Sequence, residues 1–487
     1  MQRIRRRDFM KGSLAAGLGL FTPLARVRGA NNDIRMGVVG LGSFVKIGGK
    51  GRSDLKEFRK IPGVRIAAIC DCDSDHVKPV LQDCREHGEN VKVYKDVREL
   101  LESKEIDAIS ITTPNHWHSL MGIWACQAGL DVFIQKPVSH NIFEGRKLVE
   151  AVRKYNRVVQ ATHGPRSNGA LEKAFVYARE GNLGKIHYVH GVNYKPRQSI
   201  GKVNGPQPIP KGCDYNLWCG PAPQKPLMRK YLHYDWHWDW STGNGDLGNM
   251  GIHFMDSCRW ALGKNELPRQ VITIGGRFGY ADDGQTPNTL ITFLDYEPTP
   301  IVFEVRGLPK NKSFQNNAWN ENMDSYLGVQ YGAAVHCENG YVLDGTAFDN
   351  KGKLIKKFTS GRVSSKQNFI DVVRSRKTEN LYSDALEGHL SCGLVHMTNI
   401  SYRVGRKASK KQIIDLTQGI RQFSKPVDRL LAHLDANGID LEKTPAIFGA
   451  LLQFDPPTER FVGENSEKAN KLVSRNYRKP FIVREKV

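Results

Sequence analysis

The chain has no Cys-x-x-Cys pair, no internal repeat, no low-complexity stretch and no apolar run long enough to cross a bilayer. Its nine cysteines are an odd number without zinc-ligand spacing, so neither a zinc module nor a disulfide framework is indicated. Cys213 and Cys219, in a loop rich in Gly and Pro, leave room for one disulfide, with buried free thiols as the alternative. Positive charge is in excess at +21, yet residues 1–29 hold seven Lys or Arg against one Asp. The remaining charge, about +15, is spread along the chain. No basic run is interleaved with stacking aromatics, so no nucleic-acid partner is expected, and the charge argues only for solubility and attraction of anions.

What is present begins at the amino terminus. Arg3, Arg5, Arg6, Arg7 and Lys11 precede an apolar segment from Gly12 to Ala25, with small residues at Gly29 and Ala30. The order Arg6-Arg7-Asp8-Phe9-Met10-Lys11 reads as a twin-arginine export signal, which carries folded proteins across a membrane. The expectation is a removable segment 1–30, export machinery as a partner, a periplasmic or other extracytoplasmic location, and no stable membrane insertion.

The 487 residues have room for two or three domains. From Ile34 to His163 short β-branched runs alternate with amphipathic helical stretches, the pattern of a parallel sheet covered by helices. Strands are expected at 34–39, 64–70, 108–111, 132–134 and 158–161. Helices are expected from Trp117 to Ala128 and from Ile142 to Tyr155, the second opened by Asn141 and Glu144 as in a capping box. Beyond Gly164, period-two runs such as Ile301–Arg306, and the Asn339-Gly340 turn between Val335 and Val342, predict an antiparallel sheet. A helix from Asp384 to Val404 carries a stripe of Leu386, Leu390, Met397 and Ile400. The fold class is therefore α/β: a nucleotide domain over 31–163, a domain with a large, mostly antiparallel open sheet over 164–407, and a helical tail over 408–487.

Gly40-Leu41-Gly42 follows the first strand, where glycines let backbone N–H groups approach a pyrophosphate. Ser43 and Phe44 continue the turn. The third glycine position is Val45, and residues 44–51 suggest a longer, remodelled loop. The second strand ends in Asp71, 29 residues after Gly42, where a carboxylate would accept ribose hydroxyls and repel a 2′-phosphate, favouring NAD over NADP. An acid that only caps the next turn is the plainer alternative.

Three further segments carry a resemblance: Thr113-Pro114-Asn115-His116-Trp117-His118, Gln135-Lys136-Pro137, and Gly243-Asn244-Gly245-Asp246 leading to Gly251-Ile252-His253 and Asp256. Together with the glycine turn they resemble the glucose-fructose oxidoreductase and inositol dehydrogenase family, Gfo/Idh/MocA, over about residues 34–405. The resemblance implies a Rossmann domain, then an α/β domain whose open sheet walls the substrate cleft, chemistry on sugars or polyols, and a homo-oligomer. It places Thr113, Pro114, Asn115 and His118 in the cofactor pocket and Lys136 beside the nicotinamide. There a lysine's ammonium form is disfavoured, and Lys136 could serve as base or as hydrogen-bond donor. Gln135 stands where relatives carry Glu, and Asn249 with His253 stands where many carry an Asp–His pair. His253 can still exchange a proton, Asn249 can only orient a hydroxyl, and Asp246 and Asp256 are the nearby acids to stand in for the missing carboxylate.

His116 and His118 have no third ligand at a useful spacing, so no metal is expected. If residues 233–240 are extended, Trp236, Trp238 and Trp240 share one face, either stacking on a sugar or closing a core. Tyr194, Lys195 and Arg197 offer donors to a substrate hydroxyl or carboxylate, or form a solvated loop. The expected function is oxidation of a sugar, polyol or glycoside hydroxyl by hydride transfer, with NAD held and recycled in one site. The alternatives are redox-assisted glycoside cleavage through a transient keto-sugar and a carbohydrate-binding protein without turnover.

Overall fold

In the computed structural model of the chain, residues 33–44, 48–316, 318–359 and 361–487 are described. The segment read as an export signal lies outside them, as does Val45. Six strands form the first sheet: β1 (Ile34–Val39), β2 (Val64–Cys70), β3 (Lys92–Tyr94), β4 (Ala108–Ile111), β5 (Asp131–Gln135) and β6 (Val159–Thr162). All pairs are parallel and the order is β3-β2-β1-β4-β5-β6. Crossovers leave β1 and β4 in opposite directions, which opens a crevice at the carboxyl ends of these two strands. β4 and β5 are buried along their whole length, as strands of a parallel sheet covered on both faces must be.

The Ile142–Tyr155 helix has the expected bounds. The Asn141 side chain accepts from Glu144 N–H at 2.9 Å, while the Glu144 carboxylate reaches back to Asn141 Nδ2 and His140 N–H. This satisfies the first turn in the manner of a capping box, shifted by one residue. The preceding helix starts at Asn115, two residues earlier than expected, because Pro114 takes the cap position with no N–H to satisfy.

The second sheet has twelve strands: β7 (Ile186–Tyr194), β8 (Gln270–Gly276), β9 (Thr289–Asp295), β10 (Ile301–Arg306), β11 (Tyr331–Cys337), β12 (Gly340–Leu343), β13 (Thr346–Asp349), β14 (Leu354–Lys357), β15 (Arg406–Ala408), β16 (Ala446–Phe448), β17 (Leu452–Asp455) and β18 (Arg460–Val462). The β7–β10 pair is parallel and the other pairs are antiparallel. Val335 lies opposite Val342 as expected, but Glu338 and Asn339 make the turn, since Gly340 already pairs with Cys337.

Two expectations need correction. The helix Ala385–Val404 is buried on nearly all sides, including Gly388, His389, Cys392 and Val395, whereas Leu386 of the expected stripe is only partly buried. It packs on both the 142–155 helix and β8, and a Cβ on Gly388 would stand 2.7 Å from Ala161 Cβ, so both domains close around it. Residues 408–487 are not a helical tail. Helices Lys410–Thr417 and Arg421–Ala436 are followed by β16, β17 and β18, which extend the large sheet. Ile413, Phe423, Val427, Leu430 and Leu434 of these helices cover Val192, Ile272, Ile291 and Phe293 on one sheet face. Strands of three or four residues are too short to display period-two alternation, which hid them in the sequence. The last residues return to the first domain: Phe143 N–H donates to the Val473 carbonyl, and Phe481 packs edge-on against Trp117.

Among the described residues no helix is long and apolar enough to cross a membrane. All nine cysteines are free, so the Cys213–Cys219 bond is not formed; the thiol beside Cys213 is that of Cys72.

Candidate active site

A cavity of about 360 Å³ opens at the carboxyl ends of β1 and β4 and runs between the two domains. Its floor is the glycine turn. Gly40 and Gly42 both take positive φ, and a Cβ on Gly40 would stand 2.8 Å from Thr113 N, on Gly42 2.5 Å from Gly49 N. The third glycine function falls to a residue the spacing did not identify. Gly51, in the first turn of the Lys50–Phe58 helix, abuts the Gly40 carbonyl so closely that no Cβ fits, the helix–strand approach that a fingerprint's last glycine allows. The intervening loop is longer than the motif permits and is held by Arg52. Its guanidinium donates to the carbonyls of Leu41 (3.2 Å), Gly42 (2.8 Å), Ser43 (3.0 Å) and Gly48 (2.9 Å) and lies over the Phe44 ring. Ser43 lines the cavity; Phe44, half-exposed under Arg52, does not.

Asp71 closes one end. Its Oδ2 accepts Leu41 N–H at 2.7 Å and its Oδ1 accepts Asp73 N–H at 2.9 Å. It thus orients the glycine turn and still presents free lone pairs to the cavity it lines. His76 and His233 stand beside it on the wall, neither of them singled out by the sequence. Thr113, Pro114, Asn115 and His118 line the middle. The His118 ring lies between the Pro137 and Thr113 carbonyls at 2.6 Å each, and the His116 ring between those of Thr242 and Trp218. Burial brings their pKa values down to about 4 and about 3, against the paired carbonyls, which favour the protonated rings.

At the other end stands Lys136, directly after β5. Its Nζ donates to the Asn249 main-chain carbonyl and, at 3.3 Å, to Asn249 Oδ1. That carbonyl is available because residues Leu247–Gly251 form a π-helical turn, which disturbs the normal bonding ladder. Burial lowers the Lys136 pKa to about 8, with Asp246 opposing the shift and Arg197 adding to it. Gln135 donates to the fully buried Asp54 at 2.7 Å and accepts from Thr162 at 2.9 Å. Asp54 faces Lys50 and Lys366 at 3.1 and 3.0 Å. A carboxylate is therefore present one side chain further out, on a helix that the sequence reading did not find.

His253 is set back: the cavity wall takes in Asn249 and Met250 but not His253. Gly164 N–H donates to its Nδ1 at 3.2 Å, which leaves Nε2 to carry the ring proton, and burial followed by the Lys136 charge holds its pKa well below the ordinary value. Asp256 is no substitute base. Arg166 grips it at 2.8 and 2.9 Å, and Ser391 donates to it. Asp246 is fully buried behind the wall and accepts from Asn193 at 2.9 Å and from Arg197 Nε at 2.7 Å.

At the Lys136 end Lys195 and Arg197 line the cavity, whereas Tyr194 does not. Alternation along β7 turns Tyr194 to the opposite face of the sheet, where its hydroxyl donates to Glu304 at 2.7 Å. The aromatic stretch is not extended. Residues 232–235 form a helical turn and 236–238 a 3₁₀ turn, so the three indoles fan apart. Trp236 lines the cavity beside Tyr234 and His237, Trp238 is buried under Arg197, and Trp240 lies under Arg403.

Comparison with known proteins agrees with this architecture. Residues 34–163 match the model of an oxidoreductase family with an NAD-binding Rossmann fold, and residues 183–314 match the same family's C-terminal alpha/beta domain, together more than half of the chain. The chain belongs to the Gfo/Idh/MocA oxidoreductase family. Among its relatives is the uncharacterized oxidoreductase YrbE of Bacillus subtilis, 26% identical over 231 residues, 47% of this chain and 54% of YrbE. A glycosyl hydrolase family 109 protein of Solibacter usitatus is 28% identical over 167 residues, 31% of this chain and 36% of its own. The chain thus spans about half or less of the length of the curated relatives it matches. In fold it is similar to the WlbA dehydrogenase of Bordetella pertussis in complex with NADH and UDP-GlcNAcA, with a TM-score of 0.54 at 17% identity, covering 76% of this chain and 97% of that one.

Proposed function

We propose that the protein is an NAD-dependent oxidoreductase that acts on a hydroxyl group of a sugar, polyol or glycoside and keeps its cofactor through turnover. The observation that carries the reading is Lys136, a desolvated lysine aimed by Asn249 at the end of a cavity floored by a glycine turn. The residues fit a dinucleotide: Gly40 and Gly42 make a turn that packs against Thr113 and Gly49 with no room for a Cβ, Gly51 lets the following helix abut that turn, and Asp71 offers lone pairs to ribose hydroxyls. When bound, NAD supplies a hydride acceptor. The chain's own residues manage the proton. Lys136, with a pKa of about 8, is partly neutral near pH 7.5, so its Nζ can take the hydroxyl proton as the carbinol carbon is oxidised. Asn249 fixes the direction of Nζ, and Lys195 and Arg197 donate to neighbouring substrate oxygens. His253 stands behind the cavity wall and carries no step of the reaction.

Redox-assisted glycoside cleavage is the second reading, favoured by the family 109 relatives. In it the same lysine returns its proton when the hydroxyl is restored, and the net change is hydrolysis. Export through the twin-arginine route, with the homo-oligomer assembled beforehand, would suit either reading, because a cofactor carried inside a folded protein need not be supplied outside the cytoplasm. The test is to purify the full chain without added nucleotide, release any bound nucleotide by denaturation, and then incubate the folded protein with sugars and glycosides. Stoichiometric nicotinamide reduction without aglycone release supports the dehydrogenase; a freed aglycone with no net reduction supports cleavage. Absence of any nucleotide after denaturation, together with no NAD binding in calorimetry, overturns both.

A further inference from the structure

At the Asp71 end of the cavity, three side chains that the reaction above does not use converge. Among the described residues, Asp73, Cys213 and His233 are the one His/Cys/Asp/Glu group whose ligand atoms all lie within 4.8 Å of one another. We infer that they form a binding site for a zinc-type transition metal, with His76 as fourth donor.

The geometry supports the inference in four ways. First, a tetrahedral zinc with Zn–N and Zn–O near 2.1 Å and Zn–S near 2.3 Å separates its ligand atoms by roughly 3.3–3.6 Å, so a cluster of this size closes on the ion with small adjustments. His233 Nε2 and Asp73 Oδ2, now 2.9 Å apart, would move a few tenths of an ångström. Second, Asp73 divides its two oxygens: Oδ1 caps the following helix by accepting Asp75 N–H at 2.9 Å, and Oδ2 is the oxygen turned to the cluster. Third, His76 presents Nε2 to Asp73 at 3.9 Å while its Nδ1 faces the Asp71 carboxylate at 3.5 Å, and its ring centroid is 4.3 Å from that of His233. A carboxylate behind a ligating imidazole fixes its orientation, as in zinc sites generally. Fourth, the loop carrying Cys213 is brought in by backbone pairing. Ser74 N–H donates to the Gly212 carbonyl at 3.0 Å and Asp214 N–H to the Cys72 carbonyl at 2.8 Å. Residue 212 must be glycine there, because a Cβ would stand 2.5 Å from Asp73 Oδ1.

Two donors come from the nucleotide domain and two from the loops of the second domain, so the ion would bolt the domains together across the Asp71 end of the cavity. The sequence hid the site because its ligands are 160 residues apart at the extremes. The competing arrangement is a Cys72–Cys213 disulfide, since these thiols are neighbours.

The test uses the full chain, stripped with a chelator under reducing conditions and reloaded with Co²⁺ or Zn²⁺, with bound metal counted by mass spectrometry. No nucleotide is needed, so failure of the cofactor reading leaves this test intact. The expected result is one metal per chain, a thiolate-to-cobalt charge-transfer band, loss of that band in Cys213→Ser, and at least tenfold weaker binding in His233→Gln. Cys219→Ser, outside the cluster, should bind normally, and circular dichroism checks that each variant is folded. Metal binding absent from the wild type, or unchanged in both cluster variants, overturns the site. So does quantitative isolation of the Cys72–Cys213 disulfide with no metal.

Discussion

The two ends of the cavity are built from opposite charges. Around Lys136 the wall is cationic, with Lys195 and Arg197, and the nearest carboxylate, Asp246, is buried behind Arg197 and engaged by it. Around Asp71 the wall holds Asp71, Asp96, His76 and His233, with one cation, Lys95, paired to Asp214 at 2.9 Å. The acidic end suits hydroxyl donors and opposes an extra phosphate, whereas the cationic end suits oxygen atoms that lose a proton. On the proposed function, one cleft would thereby separate holding a dinucleotide from doing chemistry on it.

The sharpest way to break this contrast is at Lys136. Replacing it with Met should lower kcat by roughly 10²–10⁴ while calorimetry finds nucleotide binding intact, and equal loss of both would mean the residue is only structural. The wild-type rate should rise with pH and level off above about 8, a limb the variant lacks. Because the folded pKa lies below the ordinary lysine value of 10.5, the unfolded chain binds the extra proton between pH 8 and 10.5. Stability should therefore rise with pH across that window in the wild type, and this component should vanish in Lys136→Met. Next in size is Asp246→Asn, which strands the buried Arg197. Breaking such a pair costs about 3–5 kcal/mol, measurable by denaturant unfolding, and the substrate KM should rise as Arg197 loses its place. The smallest effect is expected at the acidic end, where Asp71→Asn should weaken NAD about tenfold, about 1.4 kcal/mol, and narrow the preference over NADP. If calorimetry with both nucleotides finds the preference unchanged, Asp71 serves the turn and not the ribose.

What the sequence made legible follows the length of its signals. The parallel sheet and the 142–155 helix were readable because runs of β-branched residues and a capped amphipathic helix each declare themselves locally. Gly40, Asp71 and Lys136 were readable because each sits at a strand end in a fixed context. The short strands after residue 408 were not, and neither was Gly51, whose role is displaced by a loop longer than the motif allows. Tyr194 was misplaced because a cluster at a strand end does not say which face each residue takes, and the indoles were misread because a helical turn replaced the assumed strand. His76, His233 and Cys213 could not be grouped at all, since only the pairing of residues 72–74 with 212–214 brings them together.

The helices over 410–436 have one more consequence. By lying on β7, β8, β9 and β10, and by pairing Arg429 with Glu304, they give that stretch of sheet an intramolecular roof. A second subunit docking there would first have to evict the chain's own segment and leave Phe423, Leu430 and Leu434 wet. Any second copy of the chain would therefore have to meet the strands beyond that roof or the helices themselves, where a new outer surface replaces the one they cover.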